Sequence, residues 1–165
     1  DKSGNELHGT VSGASVENAP ADADSGLSYE EGYWSISITD SAGNAQSTEG
    51  PFTDCAYTKI GRVVHVQGEI APDSVTDTIA DGETMRFSLP FTSTALTDGA
   101  ENAFGTCYIG NNGSTLAHNM WSQAMTGTSY FQVRMRADDG TASYLLGAQV
   151  DAGWAMGFSL TYISQ

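Results

Sequence analysis

Apolar and polar residues alternate with a period of two along most of this chain, the spacing of half-buried β-strands. In YWSISIT, residues 33–39, Trp34, Ile36 and Ile38 face one way and Ser35, Ser37 and Thr39 the other. DSAGN at 40–44 has the composition of a turn. CAYTKI and RVVHVQGEI, within residues 55–70, are two alternating runs pinched at Gly61. In the second run Val64, Val66 and Ile70 share one face, and Val63, His65, Gln67 and Glu69 share the other. In TMRFSLPF, Met85, Phe87 and Leu89 point inward and Pro90 ends the ladder. AFGTCYI at 103–109, TLAHNMW at 115–121, SYFQVRMR at 129–136 and SYLLGAQV at 143–150 read as further strands, with Phe131, Val133 and Met135 on one face of the third. GNNGS at 110–114 and ADDG at 137–140 read as turns. The last run, WAMGFSLTYI at 154–163, sets Trp154, Met156, Phe158, Leu160 and Tyr162 against Ala155, Gly157, Ser159 and Thr161. A large face that fills a core and a small face that admits another layer predict a central strand.

The pattern gives about eight or nine strands and no apolar stripe at helical spacing. The expected fold is all-β, an antiparallel β-sandwich, jelly-roll-like, with a short extended N-terminal lead-in. The lead-in is residues 1–31, rich in Gly, Ala, Ser and Asp; the sandwich domain is residues 32–165. Alone, the lead-in buries too little apolar surface to offset its ordering entropy, although HGTVSGASV has the pattern of one short strand. A chain that opens on Asp1 in mid-pattern is expected to be a fragment or a processed product.

At 165 residues the chain is long enough for one real core, and 19 glycines suit many tight turns. Charge then narrows the partners. Twenty acidic residues against 6 basic ones leave a net charge of −14, which repels nucleic acid and anionic membrane surfaces. No run reaches the roughly 20 apolar residues of a membrane-spanning helix. Cys55 and Cys107 are too few for a disulfide framework or a zinc site, and buried free thiols are the expectation. His8, His65 and His118 have no metal-ligand spacing, DKSGNE at 1–6 lacks most of a calcium loop, and no metal or cofactor is expected.

Catalytic chemistry finds little support. There is no G-x-S-x-G elbow, and the paired carboxylates of DADS, YEE and DD fall in loops or the lead-in, away from an apolar setting that would raise one pKa. Carbohydrate binding fits better, because flat rings stack on sugars while amides hydrogen-bond to them. Trp121, Tyr130 and Tyr144 fall near strand ends or opposite the main apolar face, whereas Trp34 and Trp154 fit the core face. His118 and Asn119 neighbour Trp121, and Asn111 and Asn112 present amides from a turn. These seven, Asn111, Asn112, His118, Asn119, Trp121, Tyr130 and Tyr144, are the candidate ligand contacts.

The order YEEGYWSISIT, YTKIGRVVHVQGEI, FSLPFTS and MGFSLTYIS resembles the C-terminal tip domains of tailed-bacteriophage tail fibres over about residues 29–165. The matching positions are Glu31, Gly32 and Trp34; Tyr57, Lys59, Ile60, Gly61 and Val64; Leu89, Pro90 and Phe91; and Phe158, Tyr162 and Ile163. Ser88 departs from the Gly common before Leu-Pro-Phe. The resemblance implies a homotrimer at the end of a virion fibre, acting outside the cell. It would bind a bacterial surface glycan or protein receptor without catalysis and join other virion fibre proteins. Receptor contacts would sit on the loops at 71–83, 92–102 and 110–122. The matched residues themselves look like scaffold. Two alternatives stay open: a capsid-decorating or head-fibre protein anchored by its N-terminal segment, and a polysaccharide-degrading or autocleaving fibre domain.

Overall fold

The computed structural model describes residues 28–73, 79–95, 97–98, 102–110, 119–137, 139–149 and 153–165. Along these run β1 (Tyr29–Ser35), β2 (Ile38–Asp40), β3 (Ala45–Gln46), β4 (Asp54–Ile60), β5 (Val63–Ile70), β6 (Met85–Ser88), β7 (Ala103–Gly110), β8 (Asn119–Ala124), β9 (Tyr130–Arg136), β10 (Ala142–Tyr144) and β11 (Ala155–Ile163). Their pairings are antiparallel, so the expectation of an all-β antiparallel fold holds. The strands belong to one hydrogen-bonded sheet in the order β1-β4-β5-β11-β7-β8-β9-β6-β2-β3, with β10 added to β9.

The sheet curls because its two ends are joined by a very short connection. β1 lies on one edge and β2 next to the other, yet only Ile36 and Ser37 separate them. At about 3.3 Å per residue that connection cannot span a flat ten-strand sheet. The edge strands therefore meet over a common core. Three bonds stitch the junction to β6: the Ser37 N–H donates to Ser88 Oγ at 2.8 Å, the Ser88 N–H donates to the Ser37 carbonyl at 3.0 Å, and Trp34 Nε1 donates to the Ser88 carbonyl at 3.3 Å. YWSISIT thus keeps its alternation, with Ile36 and Ile38 buried, but changes hydrogen-bonding partners midway.

The enclosed face is the one the sequence assigns to the core. Val64, Val66, Ile70, Met85, Phe87, Phe131, Val133, Met135, Trp154, Met156, Leu160 and Tyr162 are all buried. Phe87 stacks on Phe131 with ring centroids 5.2 Å apart, and Phe131 meets Phe158 at 4.8 Å. Each such side chain, fully buried, contributes about 1.5–3 kcal/mol of transfer free energy.

Four of the residues matched in the sequence resemblance, Tyr57, Lys59, Phe91 and Tyr162, meet at one corner of this core. The Phe91 ring meets Tyr57 edge-on at 5.1 Å and lies 4.6 Å below Lys59 Nζ. The Tyr162 hydroxyl donates to the Phe91 carbonyl at 2.9 Å and accepts the Phe91 N–H at 3.3 Å. Burial pushes that hydroxyl's pKa far up, although the bond to Phe91 opposes the shift. The corner after Leu89 and Pro90 is therefore clamped by side chains from β4 and β11. Gly61, between β4 and β5, adopts φ of 58°, which favours glycine.

Three local readings change. SYLLGAQV makes a strand only over Ala142–Tyr144; Leu145 is buried, and Gly147–Gln149 is a 3-10 turn. Adjacent leucines break the period of two, so the run cannot stay in one register. In the 115–121 run the described strand begins at Asn119 and continues to Ala124. The third change is β3, a two-residue strand too short to show a period. Of the lead-in assigned to residues 1–31, only Ser28–Glu31 are described, and Tyr29–Glu31 already belong to β1.

Candidate functional site

The core face is occupied by packed side chains, so the outward positions of the sheet are the surface left for contacts outside this core. They divide into two zones. The first zone spans β1, β4, β5, β11 and β7. Cross-strand register sets Tyr29 opposite Ile60, Ile60 opposite Val63, and Val63 opposite Ile163. These four side chains are 53%, 49%, 45% and 39% exposed, an apolar row across four strands. Tyr33, Phe104 and Tyr108 are exposed on the same face. Between them lie Thr58, His65, Thr161, Gln67 and Ser159; His65 Nδ1 is 2.9 Å from Thr161 Oγ1. The charged side chains at the outward positions of this zone are Glu31, Asp54 and Glu69, and none is Lys or Arg.

β7 owes its exposed rings to crowding on its inner side. Gly105 faces inward, and a Cβ there would lie 2.1 Å from the Ser159 carbonyl oxygen. A large side chain has no room at that position, so Phe104 and Tyr108 take the outer face. Tyr108 then lies across Gly157, its register partner, where a Cβ would come within 2.3 Å of the ring. A shallow depression of about 380 Å³ is lined by Thr106, Tyr108, Gly157 and Ser159, among others.

The second zone spans β8, β9, β10 and β6. One row sets Trp121 opposite Arg134 and Arg134 opposite Tyr144. The Arg134 guanidinium lies 4.1 Å from the centre of the Tyr144 ring. A second row sets Gln123 opposite Gln132, with Arg86 beside Gln132 on β6. The Arg86 guanidinium lies 4.7 Å from the centre of the Tyr130 ring. Asn119 and Arg136 form a third row, next to Ala142. Gln123 and Gln132 are 8% and 5% exposed. No outward position in this zone carries a carboxylate. Among the described residues, Arg86, Arg134 and Arg136 make no ion pair, and Arg86 Nε is buried without a hydrogen-bond partner.

Of the seven candidate contacts, four therefore share one surface: Asn119, Trp121, Tyr130 and Tyr144. Asn111, Asn112 and His118 lie outside the described residues. The sequence does not single out the three arginines, because it is the pairing of β6 with β9 that brings Arg86 beside Arg134 and Arg136. Their signal was present in Gln132, Arg134 and Arg136, which alternate with Phe131, Val133 and Met135.

Other polar groups serve the frame. Asp40 is buried; burial alone would raise its pKa. Hydrogen bonds from the Asn44 side chain and from the Ala80, Asn44 and Ala42 amides outweigh that and hold it below the ordinary carboxylate value. The Asn44 N–H and Nδ2 reach its two oxygens at 2.8 and 2.7 Å, closing the β2–β3 turn. Ser41 donates to the Glu83 carboxylate, while its oxygen accepts the Thr84 N–H at 3.0 Å, tying that turn to β6. Cys55 and Cys107 are free, and burial pushes both thiols up to about 12. They stay protonated and unreactive at neutral pH. Among the described residues no group of three or more His, Cys, Asp or Glu side chains is placed to hold a metal ion. No helix among them is long and apolar enough to cross a membrane. A second cleft, about 150 Å³ between Ser93, Ala103, Met125 and Ile163, is small beside the roughly 300–1,000 Å³ of ligand pockets.

Comparison with protein-family models finds none that matches the chain, and comparison with curated proteins finds no significant match.

Proposed function

We propose that this chain is a receptor-binding tip domain of a bacteriophage fibre. It assembles as a homotrimer through the apolar zone and holds a bacterial surface glycan on the aromatic and arginine zone, without turnover. The observation that carries this reading is the division of the outer face. Among the described residues, seven of the eight exposed large apolar side chains stand on the first zone: Tyr29, Tyr33, Ile60, Val63, Phe104, Tyr108 and Ile163. Contiguous exposed apolar surface of that kind marks an interaction site. A second copy suits it, because a chain of net charge −14 self-associates best through a face with few charges. The second zone combines flat rings with amides and guanidinium groups, the chemistry that stacks on and hydrogen-bonds to sugars. The sequence resemblance to tail-fibre tips supplies the setting, a virion acting outside the cell.

The test pairs molar mass by light scattering with binding of the labelled protein to a panel of bacterial cells. A trimer that binds some cells saturably, and releases no reducing ends from their polysaccharide, is the expected result. A monomer at micromolar concentration removes the fibre reading. Saturable binding accompanied by reducing-end release makes the domain a depolymerase.

A further inference from the structure

We infer that the arginine zone selects an anionic saccharide, a sugar bearing a carboxylate or phosphate, through Arg134 and Arg86 flanked by Trp121, Tyr144 and Tyr130. The inference rests on reading this face as a saccharide surface and names the class of sugar.

Charge distribution is the first argument. The chain has only 6 Lys and Arg residues, and three of them, Arg86, Arg134 and Arg136, stand on outward positions of two adjacent strands, β6 and β9. They face no carboxylate on that zone and make no ion pair among the described residues. A chain with 20 acidic residues has abundant means to neutralise three arginines, and here it does not.

Positioning is the second argument. Arg134 is held against Tyr144 and Arg86 against Tyr130, each guanidinium within 5 Å of a ring centre. Ring contact engages the face of a guanidinium and leaves its N–H edge free for a planar anion. Arg86 Nε is buried and unpartnered, an unmet donor on this surface. Trp121 is the register partner of Arg134 on β8, which brings an aromatic residue beside the arginine. An anionic group on a sugar ring would satisfy both elements at once: the charge on the guanidinium edge and the ring on the indole.

The overall negative charge limits the length of the ligand. At physiological salt the screening length is about 8 Å, so the zone acts on a nearby anion largely free of the distant carboxylates. A long polyanion would run beyond the zone onto acidic surface. The fitting ligand is a terminal or branching acidic sugar, which also separates this zone from a nucleic-acid surface.

The test is an NMR titration of the full chain. It follows the side-chain N–H signals of Arg86, Arg134 and Arg136 and the indole N–H of Trp121. The probes are glucuronate, glucose phosphate, glucose and inorganic phosphate. Glucuronate or glucose phosphate is expected to shift the Arg134 and Trp121 signals saturably, with glucose about tenfold weaker or worse. The preferred probe of the two identifies carboxylate or phosphate. Arg134→Gln should weaken the acidic sugar about tenfold to a hundredfold and glucose severalfold less. Added salt should weaken the acidic sugar alone, a readout that needs no variant to fold. Equal shifts by glucose and glucuronate, insensitive to salt and to Arg134→Gln, overturn the anionic selection but leave the saccharide reading standing. Inorganic phosphate matching glucose phosphate reduces the zone to simple anion binding and overturns the sugar. No shift with any probe overturns the inference, while the cell-binding test decides the receptor reading independently.

Discussion

On β1, β4, β5, β11 and β7 the outward side chains are mostly apolar or small, carry charge only at Glu31, Asp54 and Glu69, and include no arginine; on β8, β9, β10 and β6 they are mostly arginine, amide and aromatic and include no carboxylate. Both zones cover the same core, made by the same alternating strands. The inward halves of those strands are interchangeable in kind: Val64 and Val66 on β5 do what Val133 and Met135 do on β9. The outward halves are not. The core fixes which residues point out, and it leaves their chemistry free. The difference between Ile60–Val63–Ile163 and Trp121–Arg134–Tyr144 is therefore not a demand of the core, and it is the ground of the proposed division of roles.

The largest predicted effect falls on both zones together. Phe131 is fully buried between Phe87 and Phe158, so Phe131→Ala should cost about 3–5 kcal/mol and lower Tm by roughly 10 °C or more. Assembly and ligand binding should fail at the same temperature, measured by calorimetry alongside light scattering. Loss of one before the other would mean that the zones are separate folding units.

Next comes the apolar row. Val63 sits between Ile60 and Ile163, and Val63→Lys places a charge at its centre. That should cost each interface about 3 kcal/mol or more and give a monomer at micromolar concentration, with an unchanged far-ultraviolet spectrum. Its cell binding should weaken only through lost avidity.

Trp121→Ala acts on the other zone and should weaken sugar binding about tenfold, with no change in molar mass. A change in assembly instead would merge the zones into one interface.

The smallest effect is that of acid. The folded pKa of Asp40 lies below its unfolded value of about 4, so its contribution is complete above that pH. It is lost as the pH falls through the folded value. Below about pH 4 the wild type should lose thermal stability more steeply than Asp40→Asn, which is the less stable of the two at neutral pH. Because Asp40 closes the turn beside β6, amide exchange should rise there before it rises at β5.

The core was legible because burial and a period of two are properties of single strands. Val64, Met85, Phe131 and Phe158 announce themselves locally. β7 was harder, since Phe104 and Tyr108 face out only because Gly105 meets the backbone of β11. That contact joins residues more than fifty positions apart. The candidate site was legible in part for the same reason. Trp121, Tyr130 and Tyr144 stood out as aromatics off the core face. Their meeting with Arg134 and Arg86 depends on a strand order no local pattern encodes.

The most direct test of the division between the zones is molar mass by light scattering on the wild type, Val63→Lys and Arg134→Gln at one micromolar-range concentration. The account predicts a trimer, a monomer and a trimer. A monomeric wild type, or an Arg134→Gln variant that dissociates while Val63→Lys stays trimeric, would contradict it.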